Sequence, residues 1–298
     1  MNPGQRQFAS LPRRQYGLAL VMVLWLIVLL GVIAGGHVYN VHTETRLAAL
    51  QVGTAKARAA VETGLSYAIL QLLADDLANP LPIDGTVDQI VSDDTRIRIA
   101  IRDATGLIDL NAAGSDLLQN LTAALNIDQE RQQRIIAAIL DWRDRDDAKR
   151  ASGAEDSDYV SAGYPWTARD GAFTSVEELR YVMGMSQQLF NEMAPFVTVY
   201  SEQAGINLEF AAPFLIRAMS GQTVMPAPVR RPRNSADPRA AAGSGTYHIY
   251  VSATNDEGVG ASAEAVVRIS DNSARPFRVL YWRDSMRTRF SDDGPAKT

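Results

Sequence analysis

The sequence predicts an α+β fold in which a long N-terminal transmembrane α-helix packs on an antiparallel sheet that carries an inserted helical subdomain. Three observations predict it. An uncharged apolar run leads without a helix breaker into a stretch of helical periodicity, period-2 alternation appears both before and after the middle of the chain, and apolar residues at helical spacing with capping signals lie between.

The apolar run is Gly17 to Gly36, which holds no charged residue and has the length of about 20 residues that a membrane-crossing helix needs. Arg6, Arg13 and Arg14 precede it and no acid lies between Met1 and Gly36, so the positive-inside bias places the N-terminus in the cytoplasm and everything after Gly36 in the periplasm. Ala34-Gly35-Gly36 also leaves open a cleavable signal peptide. Against that reading, the chain continues with Val61, Leu65, Ala68, Ile69 and Leu72 at helical spacing. One helix from Leu18 to Leu77 would be about 90 Å long. Asn79-Pro80-Leu81-Pro82 ends it, because proline lacks a donor and biases its predecessor away from helical angles.

Thr95 to Asp103 alternates, with Ile97, Ile99 and Ile101 on one face and Arg96, Arg98 and Arg102 on the other, which predicts a half-buried strand. Asp103-Ala104-Thr105-Gly106 is read as the turn of a hairpin into Leu107-Ile108-Asp109-Leu110. Asn111 is read as the cap of a helix carrying Leu117, Leu118, Leu121 and Leu125, and Asp128 as the start of a second through Ile135, Ile136, Ile139 and Leu140. Ser175-Val176-Glu177-Glu178 has the form of a capping box, Gly184 permits a tight reversal, and a further helix begins near Ser186. Gly106 to Asn111 and Gly205 to Leu208 read as two degenerate copies of one strand-to-helix connection. Tyr247 to Ala253 and Ala263 to Ile269, joined at Asn255-Asp256-Glu257-Gly258, predict a second hairpin, and Phe277 to Trp282 a last strand. The proline- and arginine-rich stretch between Ala227 and Gly245 cannot build a core and reads as a linker.

Composition removes several function classes. A net charge of −5 argues against a sequence-independent grip on nucleic-acid phosphates. The absence of cysteine excludes disulfides and thiolate chemistry, and His37, His42 and His248 supply little for a zinc site or an imidazole triad. The reading is therefore not an enzyme. The chain from Ser175 to Val199 looks like a helix-hairpin-helix, but its hairpin, Met183-Gly184-Met185-Ser186, lacks the second glycine and the lysine of DNA-binding versions.

The most chemically suggestive stretch holds seven carboxylates between Asp141 and Asp158. Two readings stay open on composition: a solvated charged loop interspersed with Arg143, Arg145, Lys149 and Arg150, or a site for a hard cation such as calcium, which takes six to eight oxygen ligands. Trp142 and Tyr159 read as packing residues.

Arg14-Gln15-Tyr16-Gly17 followed by Leu18 resembles the leader and cut site of type IV pilins and pseudopilins. Most of that family carries glutamate where this chain has Met22, and its lack is typical of the K-type minor pseudopilin of type II secretion. The order of long helix, strands, inserted helical domain, returning hairpin and a terminal segment similar to Arg278 to Arg283 resembles the same type. So does the pattern Asp141-Trp142-Arg143-Asp144 followed by Gly153-Ala154-Glu155-Asp156.

The resemblance implies cleavage after Gly17 by prepilin peptidase, N-methylation of Leu18, an inner-membrane anchor, and a pseudopilus tip shared with the I- and J-type minor pseudopilins. At Met22 no acid invites a subunit to add above. It also implies calcium, with Asp141, Asp144, Asp146, Asp147, Glu155 and Asp158 as its expected ligands. The expected organisation is a leader (1–17), a transmembrane part (18–36) and a periplasmic part (37–78) of the first helix, and a first part of a pseudopilin sheet (79–110). An inserted helical domain (111–220), a linker (221–245), the second part of the sheet (246–284) and a tail (285–298) follow. A type IV pilus minor subunit, or a membrane-anchored DNA-uptake protein using the helix-hairpin-helix, is the alternative.

Overall fold

The computed structural model describes residues 16–74, 80–92, 94–219, 243–270 and 272–285, with side chains described for 20–33 and for those from 47 to 284. Residues 1–15 of the expected leader, 221–242 of the expected linker, 286–298 of the tail and Asn79 lie outside these residues. Helix α1 runs Tyr16–Leu73, so it ends before the expected Leu77. The chain divides into two units, Met1–Gly53 and Thr54–Thr298.

In the first unit, the described side chains from Leu20 to Ile33 are all apolar or glycine and all exposed. Among the described residues no helix is long and apolar enough to cross a membrane. Met22 is 70% exposed. Gly17 and Leu18, the expected cut, lie in the first turn of α1, and their side chains fall outside the description.

The second unit is built on a five-stranded antiparallel sheet of order β1-β2-β5-β6-β7. Its strands are β1 (Asp84–Ser92), β2 (Thr95–Asp103), β5 (Thr246–Asn255), β6 (Gly260–Ile269) and β7 (Phe277–Ser285). The alternation of β2 is realised: Ile97, Ile99 and Ile101 are buried with Ile249, Val251, Ala265 and Val267, and Val61, Ala68 and Ile69 of α1 complete that core. The Thr54–Leu73 part of α1 settles on the sheet where Gly64 offers no side chain. A Cβ there would stand 2.7 Å from Val251 Cγ1 and 2.8 Å from Ile97 Cγ2. β5 and β6 form the expected hairpin, turning through Gly258 at φ +79°, a left-handed angle that glycine adopts without strain.

The expected hairpin after β2 is corrected. β2 pairs with β1 on one side and with β5 on the other, and Ala104–Gly106 is a single 3-10 turn. The next strand, β3 (Ile108–Asp109), leaves the sheet and pairs in parallel with β4 (Val197–Thr198). This two-stranded ladder opens and closes the helical part, which holds α2 (Ser115–Ala124), α3 (Gln129–Arg143), α4 (Asp156–Ser161) and α5 (Gln187–Met193). A further helix, α6 (Pro213–Met219), follows β4.

Asp128 and Ser186 cap α3 and α5 as expected, accepting from Arg131 N and Leu189 N. Asn111 does not cap α2. Its amide instead donates to Phe173 O and accepts from Phe173 N, because the Asp109 carboxylate already takes the free N–H groups of Asn111 and Ala112, and α2 starts after Gly114. The expected capping box at Ser175 is also corrected. Val176–Tyr181 is a 3-10 helix without a side-chain cap from Ser175, and Glu178 is engaged by Thr174. The second copy of the expected repeat is no strand: Asn207 donates to Thr105 O at 2.8 Å and closes a turn against the first copy.

The helical part has its own core around Leu118, Ile135, Ile139, Tyr159, Phe190 and Leu215. A polar seam joins it to the sheet. Thr198 Oγ1 lies 2.9 Å from His248 Nε2, and Glu177 bonds to Tyr281 and Arg283 while Arg283 also reaches Glu264 at 2.7 Å.

Candidate functional site

Helix α3 ends at Arg143 because the next residue turns extended and Arg143 donates to Leu110 O and, at 2.7 Å, to Ala113 O. This pins the helix end against the β3–α2 turn. One residue earlier, Trp142 packs inward beside Tyr159 and Phe173. Asp141 is thereby drawn fully inside, with no exposed surface. The loop to α4 then folds back over it. Gly153 comes so near that a Cβ would stand 1.8 Å from Asp141 Oδ2, and this glycine is what lets the loop close.

Arg150, on that loop, answers the buried charge. Its Nη1 donates to Asp141 Oδ1 at 2.6 Å and also to Asp144 Oδ2, and its backbone N–H points to Asp141 Oδ2 at 3.4 Å. The bonds to Asp144 and Asp141 push the guanidinium pKa above its ordinary value. Glu155, at the start of α4, is only 5% exposed. Burial, with the fields of Asp141, Asp144, Asp170 and Asp147, pushes its carboxyl up to about 7. Asp170 is raised too, by burial and by Asp156, Asp147 and Asp144. Three carboxylate oxygens in this cluster, Asp144 Oδ1, Glu155 Oε1 and Asp170 Oδ1, are buried and have no hydrogen-bond partner.

The expected site residues thus divide. Asp141 and Asp144 meet at Arg150, and their fields and that of Asp147 reach Glu155. Asp146 is exposed and accepts from Ala148 N. Asp158 accepts from Lys149 Nζ at 2.7 Å and from Glu155 N at 3.0 Å, and Lys149 holds its pKa down. Sequence reasoning missed Asp170. The signal available was the turn dipeptide Asp170-Gly171, and Asp170 does take a left-handed φ of 53°. Among the described residues no three His, Cys, Asp or Glu side chains stand as an ion-holding group.

The raised Glu155 carboxyl gives a pH prediction for chelator-stripped protein. A carboxyl whose folded value, about 7, exceeds its ordinary 4.5 contributes stability that is fully present below the unfolded value and is lost as pH rises through the folded one. The Tm should fall between pH 5 and about 7.5, and Glu155→Gln should flatten that slope. Equal slopes in the two proteins would contradict the assignment.

The limbs of the hairpin at Gly184 are the 3-10 helix Val176–Tyr181 and α5, which depart from the paired α-helices of a DNA-binding helix-hairpin-helix. Comparison with known proteins shows what this part of the molecule is similar to. The sequence model of the family described as "Type II secretion system (T2SS), protein K" matches residues 98–202, the stretch that carries β2, the ladder, α2 to α5 and the acidic loop. Residues 98–202 resemble the protein K family.

The type II secretion system protein K of Pectobacterium carotovorum subsp. carotovorum is 32% identical over 114 residues, covering 37% of this chain and 34% of that protein. That of Klebsiella pneumoniae is 29% identical over 213 residues, covering 64% of each. The matched part therefore spans about a third of the first relative and just under two thirds of the second. A solved chain in the GspK-GspI-GspJ complex of the enterotoxigenic Escherichia coli type 2 secretion system has the same fold, with a TM-score of 0.52 at 17% identity. The likeness covers 83% of this chain and 100% of that one. The mixed architecture of helix and antiparallel sheet is thus shared well beyond the protein K stretch.

Proposed function

We propose that the chain is a minor pseudopilin of a type II secretion system, placed at the tip of the periplasmic pseudopilus with I- and J-type partners, and that it works by assembly rather than turnover. The observation that carries this reading is the protein K match over residues 98–202 inside a chain whose fold follows that of a K–I–J complex component. In this reading Gly17 to Gly36 anchors the chain in the inner membrane. The exposed apolar side chains from Leu20 to Ile33 face lipid or neighbouring helices, prepilin peptidase cuts after Gly17, and Leu18 becomes the methylated N-terminus. Met22 offers no carboxylate to a subunit above, which suits a terminal position. The test is co-expression of the full chain with the I- and J-type pseudopilins of the same secretion system. Co-purification of all three is expected, and a chain that elutes alone would refute the reading.

Calcium belongs to the same proposal. Asp141, Asp144 and Glu155, with Asp147 beside them, would hold it. The buried oxygens of Asp144 and Glu155 that lack donors suit a hard cation. Bound calcium would supply positive charge to the cluster and tie the 144–155 loop to the end of α3. An ion that binds only the folded form stabilises it by about 2.7 kcal/mol at 100 times its Kd. Calcium should therefore raise the Tm of the full chain by several degrees over chelator, with Glu155→Gln abolishing most of the rise. An unchanged Tm would leave the loop a solvated one.

A further inference from the structure

We propose that the outer edge of β1 is a docking site for an extended segment of a partner protein, which adds as a sixth strand and turns acidic side chains toward Arg96 and Arg98. The site lies on the sheet, away from the acidic loop, and owes nothing to the calcium reading. β1 and β7 close the two sides of the sheet, and among the described residues no strand pairs with either on its outer side. An exposed edge presents a row of N–H and C=O groups to a further strand unless bulges or charged side chains guard it. β7 is guarded. Its ladder with β6 is interrupted between Val266 and Val267, and it carries Arg278, Arg283 and Asp284. β1 is guarded far less. Its register slips only at the start, between Asp84 and Val87, and from there to Ser92 it runs in step with β2. That stretch holds one charge, Asp88, and its Val91 is 69% exposed.

One hydrogen bond marks which backbone groups face outward. Gln89 N donates to the Asp88 carboxylate at 2.8 Å, so this N–H points away from the ladder with β2. Backbone groups alternate between the two sides of an antiparallel strand, and Val87, Gln89 and Val91 therefore offer theirs to the free edge. The Asp88 cover is a bond between chain neighbours, of the kind that competes with a sheet ladder, and a carbonyl of an added strand takes its place.

The two faces of the edge define the partner's chemistry. Toward α1, Ile90 packs against the core that the helix shares with the sheet, so an added residue beside it should be apolar. On the other face the register sets Val91, Arg96, Thr254 and Gly260 in one row and Gln89, Arg98, Ser252 and Ser262 in the next. These rows hold two guanidinium groups and no carboxylate, on a chain whose net charge is −5. Arg96 is exposed. The following row does hold an acid, Glu264, but Arg283 donates to it at 2.7 Å. A strand that alternates apolar and acidic residues suits both faces at once. Strand addition of this kind takes affinity from main-chain bonds and selectivity from alternate side chains.

The experiment titrates the full chain in detergent with a short fluorescent peptide of alternating glutamate and valine, and with its lysine–valine counterpart, reading anisotropy and amide hydrogen exchange. The glutamate peptide is expected to bind, to slow exchange at Gln89 and Val91 rather than in β7, and to bind less tightly as salt rises. The lysine peptide should bind at least about tenfold more weakly. Val91→Pro removes an outward N–H, which an edge strand tolerates, and should weaken the glutamate peptide about tenfold. Val91→Thr keeps that N–H and should stay within about twofold. Arg96→Ser should weaken binding about threefold and lessen its salt dependence. If Val91→Pro melts far below the wild type, exchange in the wild type and the Arg96→Ser affinity decide. No binding of the glutamate peptide, equal binding of the lysine peptide, protection that misses β1, or an unchanged affinity in a folded Val91→Pro protein each overturns the site. Protection of Gln89 and Val91 in the free protein that disappears on dilution would make a second copy the occupant, and overturns the acidic partner as well.

Discussion

Replacing Tyr159 by alanine is expected to cost about 3–5 kcal/mol, in the range measured when a large buried aromatic is truncated. The ring has no exposed surface and stands at the centre of an aromatic chain, 5.8 Å from Trp142 and 5.6 Å from Tyr164. Its hydroxyl accepts from Met183 N at 2.9 Å, which ties α4 to the reversal at Gly184. Burial pushes the phenol up to about 12, so it stays neutral in that role at any working pH. The loss should fall first on the helical part, because Tyr159 belongs to that core and not to the one between α1 and the sheet. Hydrogen exchange should show protection lost across α2 to α5 before β2 and β5. Tyr159→Phe, which removes only the hydrogen bond, should cost about 1–2 kcal/mol. Equal loss in both variants, or loss spread evenly over the sheet, would contradict this account.

Gly106→Ala is expected to be nearly as severe although it adds one methyl group. A Cβ at that position would stand 2.3 Å from Phe210 O and 2.5 Å from Phe210 C. These are backbone atoms, so no rotamer change relieves the collision. The contact holds the turn after β2 against the segment that returns from β4, beside the bond from Asn207 N to Thr105 O. Separating the two chains should cost about 3 kcal/mol or more. For a unit of this size that corresponds to a Tm lower by roughly 6–12 °C. Gly163→Ala is the useful contrast. It has a positive φ, 81°, which Gly106 does not, and nothing lies within 4 Å of its Cβ, so only the left-handed angle opposes it, at about 1 kcal/mol. A Gly106→Ala protein as stable as the Gly163→Ala one would show that the return segment can move aside.

The site divides along the same line between local and distant. Asp141, Asp144 and Glu155 were singled out through the family resemblance, since spacing alone does not separate them from the other acids of the loop. Asp158 was equally prominent there, yet Lys149 claims it, and the partner of a surface carboxylate depends on rotamers that a spacing rule does not contain. Asp170 and the bridging role of Arg150 were not legible. The bridging by Arg150 depends on a fold-back across nine residues that brings Gly153 against Asp141, and Asp170 comes from a separate segment.

What the sequence by itself determined is what neighbours along the chain decide. The isoleucine face of β2, the β5–β6 hairpin with its turn at Gly258, the caps of α3 and α5 and the apolar face of α1 all follow from side-chain periodicity and from hydrogen bonds a few residues apart. Only the tertiary structure decided that β2 pairs with β1 and β5 rather than with the strand after it, that β3 finds β4 across the whole helical part, and that a guanidinium stands among the acids. Strand pairing and charge compensation are settled between residues far apart in sequence, by which buried polar groups can be satisfied at once, and a local pattern carries no record of that choice.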